Sequence, residues 1–182
     1  AVTEISSKLI FFTLEINRID DSEFDQKLET PELSHFAPWI RDVRVFRPHQ
    51  LSDELEKMLL EKSVTGRSAW IRLFDETMAD LRFEIDDQEL TLAEILDLLS
   101  HKDGDKRKTA ALTLGAKLND NIKLYSLITN SLAKDKEIED KWRQYAKPVS
   151  SRNRINQVED DVVDALVTTV TQSYERLSHR YY

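Results

Sequence analysis

Three glycines and four prolines in 182 residues leave this chain few ways to reverse direction tightly. Glycine opens left-handed backbone to a turn and proline presets one, so a sheet of many strands would lack its corners. Long helices are the economical alternative. The expected fold is mostly α: antiparallel helical hairpins or a bundle, with at most one short β-hairpin near 82–90. A chain of this length buries one core or two small ones. We expect a single helical domain over 1–182, with room for a subdivision near 83–90.

Apolar residues make up 40% of the chain and charged residues 33%, a globular balance with a heavily charged surface. The formal net charge of −8 is the wrong sign for neutralising phosphates, so no nucleic-acid partner is expected. The absence of cysteine removes disulfides, thiolate ligands and a cysteine nucleophile, and fits a reducing compartment. Apolar runs such as 9–12 are far too short to span a bilayer, and the N-terminus carries no signal-peptide pattern. The expectation is a cytoplasmic location and no membrane partner.

Hydrophobic spacing supplies the elements. Ile5, Leu9, Phe12, Ile16 and Ile19 recur at helical intervals, and Ile10, Phe11 and Leu14 widen the arc. A helix apolar over so wide an arc wants neighbours on both sides, and its weakly marked start suggests a longer helix cut short. A brief helix follows around 24–28. Thr30, Pro31 and Glu32 mark the next start, with Phe36, Trp39, Ile40 and Val43 on its apolar face and Pro48 at its end. Ser52 opens a helix through Leu55, Met58 and Leu59. After a break at Thr65 and Gly66, the spacing resumes from Trp70 to Leu81, which predicts a helical hairpin. Trp39 and Trp70 are expected in the core.

Residues 82–85 and 89–90 read as paired strands around Asp86 and Asp87. Thr91 and Glu94 then form a capping box for a helix to about Leu99. Asp105 is the expected cap of a helix over 106–118, and Asp120 that of one over 121–134, continuing toward Tyr145. Residues 148–154 read as a loop. From Asn156, the series Val158, Val162, Leu166, Val170, Tyr174, Leu177 and Tyr181 makes the cleanest amphipathic helix. It reaches Tyr182 with no terminating signal, which suggests truncation at this end too.

Catalytic signatures are missing. Gly66, Gly104 and Gly115 are too dispersed for a phosphate loop, a dinucleotide fingerprint or a nucleophile elbow. His35, His49, His101 and His179 never come in the pairs, four apart, that aim two imidazoles at one zinc ion. The many carboxylates alternate with basic residues at surface spacing, as ion-paired helix faces do. No catalytic and no metal-binding residue is therefore assigned. The segment 134–154 mixes charge with Trp142 and Tyr145, and its Arg143, Arg152 and Arg154 could fork onto carboxylates, whether those of neighbouring acids or a peptide's C-terminus.

Three stretches carry a further resemblance: SKLIFFTLEINRID at 7–20, RPHQLSDELEKMLLEKSVTGRSAWIRLFDETMADLRF at 47–83, and the region from 127 onward, which contains ITNSLAKDKEIEDKWRQYAKPVSSRNRINQVEDDVVDAL and ends in LSHRYY. In order and content they resemble the N-terminal half of oligoendopeptidase F, of the thimet-oligopeptidase-like zinc metallopeptidases. The resemblance implies a helical shell around a channel that admits short peptides, with zinc held by an HExxH helix and a further glutamate. No HExxH occurs in this sequence. The resemblance thus implies a non-catalytic domain that binds no zinc itself, is inactive alone, and has the catalytic C-terminal domain of the same polypeptide as its partner. Arg152 and Arg154 are the candidate residues near the peptide cavity. The alternative is a free-standing helical interaction module or an inactive relative of the peptidase.

Overall fold

The computed structural model describes residues 2–181; Tyr182, where the last helix was expected to end, lies outside them. The chain is mostly helical, with one short β-hairpin. It divides into two compact units, one running to Glu61 and resuming at Glu137, the other comprising Lys62–Lys136. The hairpin at 83–90 lies inside the second unit.

In the first unit, α1 (Val2–Arg18) is followed by α2 (Asp21–Leu28), α3 (Pro31–Ser34) and α4 (Ala37–Arg44). Asp20 caps α2 by accepting the Ser22 amide at 3.0 Å. Ile16, Phe24, Leu28 and Ala37 form the buried core, with Ile19, Ile40 and Val43 against it. Arg44 closes the end of α1: its guanidinium donates to the carbonyls of Ile16 (2.7 Å) and Ile19 (2.5 Å) and sits 4.3 Å over the Phe24 ring. Those carbonyls have no partner within the helix, so a cation supplies one. Asp21 binds both Arg44 and Arg47.

Two expectations change here. The single helix from Thr30 becomes two, because Pro38 begins a new first turn at α4, and Thr30 turns its hydroxyl back to the Lys27 carbonyl at 2.8 Å instead of capping α3. The apolar stripe of α1 also splits. Leu14 and Ile16 are buried, whereas Ile5, Leu9 and Phe12 are exposed; Trp39, expected in the core, is 49% exposed and stacks on Phe12.

A 3-10 turn at Arg47–His49 leads into α5 (Asp53–Lys62). The C-terminal part of this unit holds α10 (Ser150–Ile155) and α11 (Asp160–Ser173). Residues 148–154 are thus largely helical, Pro148 preceding a helix rather than interrupting one. The long final helix does not begin at Asn156. Gln157 takes φ 55° and the Val158 amide reaches back to the Asn153 carbonyl at 3.0 Å, closing α10 before α11 starts. After Ser173 the chain continues as turns and a 3-10 segment at Ser178–Arg180.

The second unit contains α6 (Arg67–Ala79), β1 (Phe83–Ile85), β2 (Gln88–Leu90), α7 (Leu92–Leu98), α8 (Gly104–Asp120) and most of α9 (Ile122–Trp142). β1 and β2 are antiparallel, with Phe83 opposite Leu90 and Ile85 opposite Gln88. Asp86 and Asp87 both have positive φ, 51° and 61°, as a two-residue turn matched to the twist of a hairpin requires. Directly paired residues share a face, so Phe83 and Leu90 point the same way. Leu81, Phe83, Ile95 and Ala110 make the buried cluster. The capping box forms as expected: Glu94 accepts the Thr91 amide at 2.7 Å, and the Thr91 hydroxyl oxygen accepts the Glu94 amide. For α8 the cap is Asp103, which accepts the Asp105 amide at 2.9 Å, and not Asp105 itself.

Left-handed backbone favours glycine, and Asp87 lacks that freedom. Replacing Asp87 with glycine is expected to stabilise the chain by about 0.5–1 kcal/mol, measured as a rise in the urea midpoint.

Candidate functional site, an arginine-centred polar seam

The first unit is assembled from two separate stretches of sequence, and polar side chains stitch them. Arg143, just past α9, sends its guanidinium to Glu56 on α5 in a two-pronged contact, Nη1 to Oε1 at 2.6 Å and Nη2 to Oε2 at 2.9 Å. Its Nε donates to Glu139 at 2.7 Å and Nη1 also donates to the His49 carbonyl at 3.2 Å. Glu56 accepts the Leu51 amide at 2.9 Å as well. Such paired, charge-assisted bonds need the planar fork that lysine lacks.

His49 completes the seam. Its Nδ1 lies 2.7 Å from the Arg143 carbonyl; a carbonyl can only accept, so Nδ1 carries the proton. The ring stacks on Tyr145 with centroids 3.9 Å apart. Tyr145 is placed by the end of α9, where Gln144 adopts φ 58° and the Tyr145 amide bonds back to the Asp140 carbonyl at 2.9 Å. A second stretch of seam lies nearby in sequence: Gln157 donates to Asp42 at 2.6 Å, and Arg154 Nη1 donates to the Val45 carbonyl at 3.5 Å.

Burial pushes the Glu56 carboxyl up, but the Arg143 bonds and the Leu51 amide outweigh it and leave it below its ordinary value. The hydrogen bond to Glu56 leads the effects that raise Arg143, with Glu139 adding to it. Burial raises the Tyr145 phenol. Glu56 and Arg143 are thus held in their ionised forms and matched to each other. Paired charges of that kind build structure.

Of the residues singled out from sequence, Arg143 does pair with neighbouring acids and Tyr145 does pin a loop, while Trp142 is 59% exposed. Arg152 and Arg154 both lie on α10: Arg152 is exposed, and Arg154 is half-buried with Nε covered and unpaired. His49 and Glu56 were missed as a pair with Arg143. Their separations of 94 and 87 residues carry no periodic signal. Among the described residues, no three histidine, aspartate or glutamate side chains are grouped to hold a metal ion, and no helix is long and apolar enough to cross a membrane.

Arg143→Ala would strand a partly buried carboxylate and is expected to cost about 2–3 kcal/mol, discounted from a fully buried pair because both groups keep some exposure. The sign of the pH dependence follows from Glu56. Its folded pKa is lowered, so its contribution is complete above the ordinary glutamate value of 4.5 and fades as pH falls through the lowered one. Glu56→Gln is expected to flatten that acid limb of the urea-midpoint profile, leaving the neutral limb parallel to wild type.

Comparison with known proteins now bears on this architecture. Residues 15–83 match the family model described as oligopeptidase F. No curated protein matches the sequence. The structure is similar to that of oligoendopeptidase F from Enterococcus faecium, with TM-score 0.83 and 23% identity, covering 98% of this chain and 37% of that one. A putative peptidase from Chlamydophila abortus gives TM-score 0.72 and 15% identity, with 95% of this chain and 30% of that one covered. At such identities the structures establish the fold, and this chain spans little more than a third of the first relative's length. The oligopeptidase F pattern at 15–83 is thus set in a fold shared with a solved oligoendopeptidase F.

Proposed function

We propose that residues 1–182 are the non-catalytic N-terminal domain of a zinc-dependent oligoendopeptidase that hydrolyses short peptides in the cytoplasm. In this reading the domain forms part of the wall of a substrate channel and limits access by size, admitting extended oligopeptides and turning away folded proteins. The observation that carries it is the oligopeptidase F pattern at 15–83 within a fold that spans 37% of a solved oligoendopeptidase F. Catalysis then belongs to the C-terminal remainder of the polypeptide, the partner of this domain. Nucleic acid and membrane are not partners.

Zinc belongs to the parent enzyme in this account, where it polarises the scissile carbonyl and activates water. Among the described residues no three donor groups are gathered to hold such an ion, and in this reading the steps of hydrolysis belong to the catalytic remainder. This chain's contribution is surface. On α11, Val162, Leu166, Val167 and Val170 are exposed, and on α1 so are Ile5, Leu9 and Phe11. Apolar faces of this kind are usually covered by a partner, and the catalytic remainder is the occupant we assign. Arg152 and Arg154 are the proposed residues near the peptide cavity, Arg152 being the one free to meet a peptide carboxylate.

The test is to produce this chain with its catalytic remainder and assay a quenched fluorescent oligopeptide. Leu166→Asp with Val170→Asp is expected to release the remainder on gel filtration and to lower turnover by about tenfold or more. Arg152→Ala should raise KM with folding intact. The chain alone should neither retain zinc nor cut peptide. Stoichiometric zinc with peptide cleavage by the purified chain would contradict the reading, and unchanged turnover in Arg152→Ala and Arg154→Ala would remove both arginines from the cavity.

A further inference from the structure

The hydrophobic cluster of the second unit is open at one end. Phe83 is 1% exposed, whereas Ile85 and Leu90, on the same face of the hairpin, are only partly covered. There the hairpin tip, α7 and the first turns of α8 enclose a concavity of about 630 Å³, within the size range of ligand sites. Its apolar lining comes from Ile85, Leu90, Ala93 and Leu98. Four carboxylates also line it, Asp86, Glu94, Asp97 and Asp105, against one ammonium, Lys106.

Two properties of this lining act together. The carboxylates alone would be an ordinary solvated acidic surface, and the apolar patch alone an incompletely closed core. Side by side, they suit a group that is aliphatic along its length and cationic at its tip. Lysine and arginine side chains are built this way, and they bury the stem while leaving the head among polar groups. Among the described residues, no lysine or arginine forms an ion pair with Asp86, Asp97 or Asp105. Glu94 is held as an anion by Thr91, whose amide and hydroxyl both donate to it. The charge offered to a visitor is therefore negative, and a low-dielectric floor strengthens its attraction for a cation.

We infer that this concavity binds an arginine- or lysine-bearing segment of an extended peptide, the stem lying on Ile85, Leu90 and Leu98 and the cation among Asp86, Asp97 and Asp105. Its meaning for peptide turnover rests on the reading above, whereas the binding itself can be measured without any peptidase activity. In that case the parent enzyme handles basic peptides better than acidic ones of the same length.

The experiment titrates the 182-residue chain with acetyl-Leu-Arg-Leu-amide, with its glutamate counterpart and with spermidine, following backbone amide shifts by NMR. The arginine peptide is expected to shift amides within 85–109, and the glutamate peptide to leave them in place. Asp97→Asn with Asp105→Asn should weaken binding by about tenfold, and Lys106→Glu should tighten it by about threefold. Circular dichroism checks that each variant is folded. Equal binding of the glutamate peptide, shifts confined to other regions, or no change in the Asp97 and Asp105 variant would overturn the inference. So would spermidine binding as well as the arginine peptide, because charge alone would then be what the site selects.

Discussion

The contact between Arg143 and Glu56 is the constraint on which the first unit depends. The chain leaves that unit at Glu61 and returns at Glu137, so two stretches far apart in sequence must find one register. Closing so long an excursion costs conformational entropy that grows slowly with its length, but closure needs contacts specific enough to choose one alignment. The buried apolar cluster of this unit, Ile16, Phe24, Leu28 and Ala37, lies wholly before the excursion and cannot make that choice. The polar seam can. A two-pronged guanidinium–carboxylate contact is directional, and the Leu51 amide and the His49 carbonyl fix both partners from behind.

Local backbone geometry delivers the seam. Gln144 and Gln157 adopt left-handed conformations that most side chains avoid, and each lets the following amide turn back onto the helix it has just ended. The first places Tyr145 against His49; the second carries the Gln157 side chain to Asp42. Glycine would adopt these angles with less strain, but a chain with three glycines uses glutamine instead, and at Gln157 the side chain repays the strain with a bond. The second unit relies on different means: Phe83 of the hairpin and Ile95 of the capped helix α7 are buried together with Leu81 and Ala110.

What could be read from the sequence follows the range of the interactions. The capping box at Thr91 and Glu94, the strand pair around Asp86 and Asp87, and the mostly helical fold were legible because each signal is complete within a few residues. The loop expected at 148–154 became a helix, and the helix expected from Asn156 was interrupted, because a positive φ at glutamine leaves no mark in composition. Trp39 and the first half of α1 looked like core because spacing reports which residues share a face, not whether anything covers that face. The seam itself was out of reach: Arg143 stood out, but nothing near it in sequence pointed to Glu56 or His49.

The seam of matched charges belongs to a unit built from two separate stretches of sequence. Such a unit needs its two discontinuous parts locked together, and the coupling between Glu56 and Arg143 measures that lock most directly. A double-mutant cycle with Glu56→Gln and Arg143→Met, read from urea unfolding at neutral pH, is expected to give a coupling of about 1–3 kcal/mol. Additive effects, with a coupling within about 0.3 kcal/mol of zero, would contradict the account and show that something other than this contact sets the alignment.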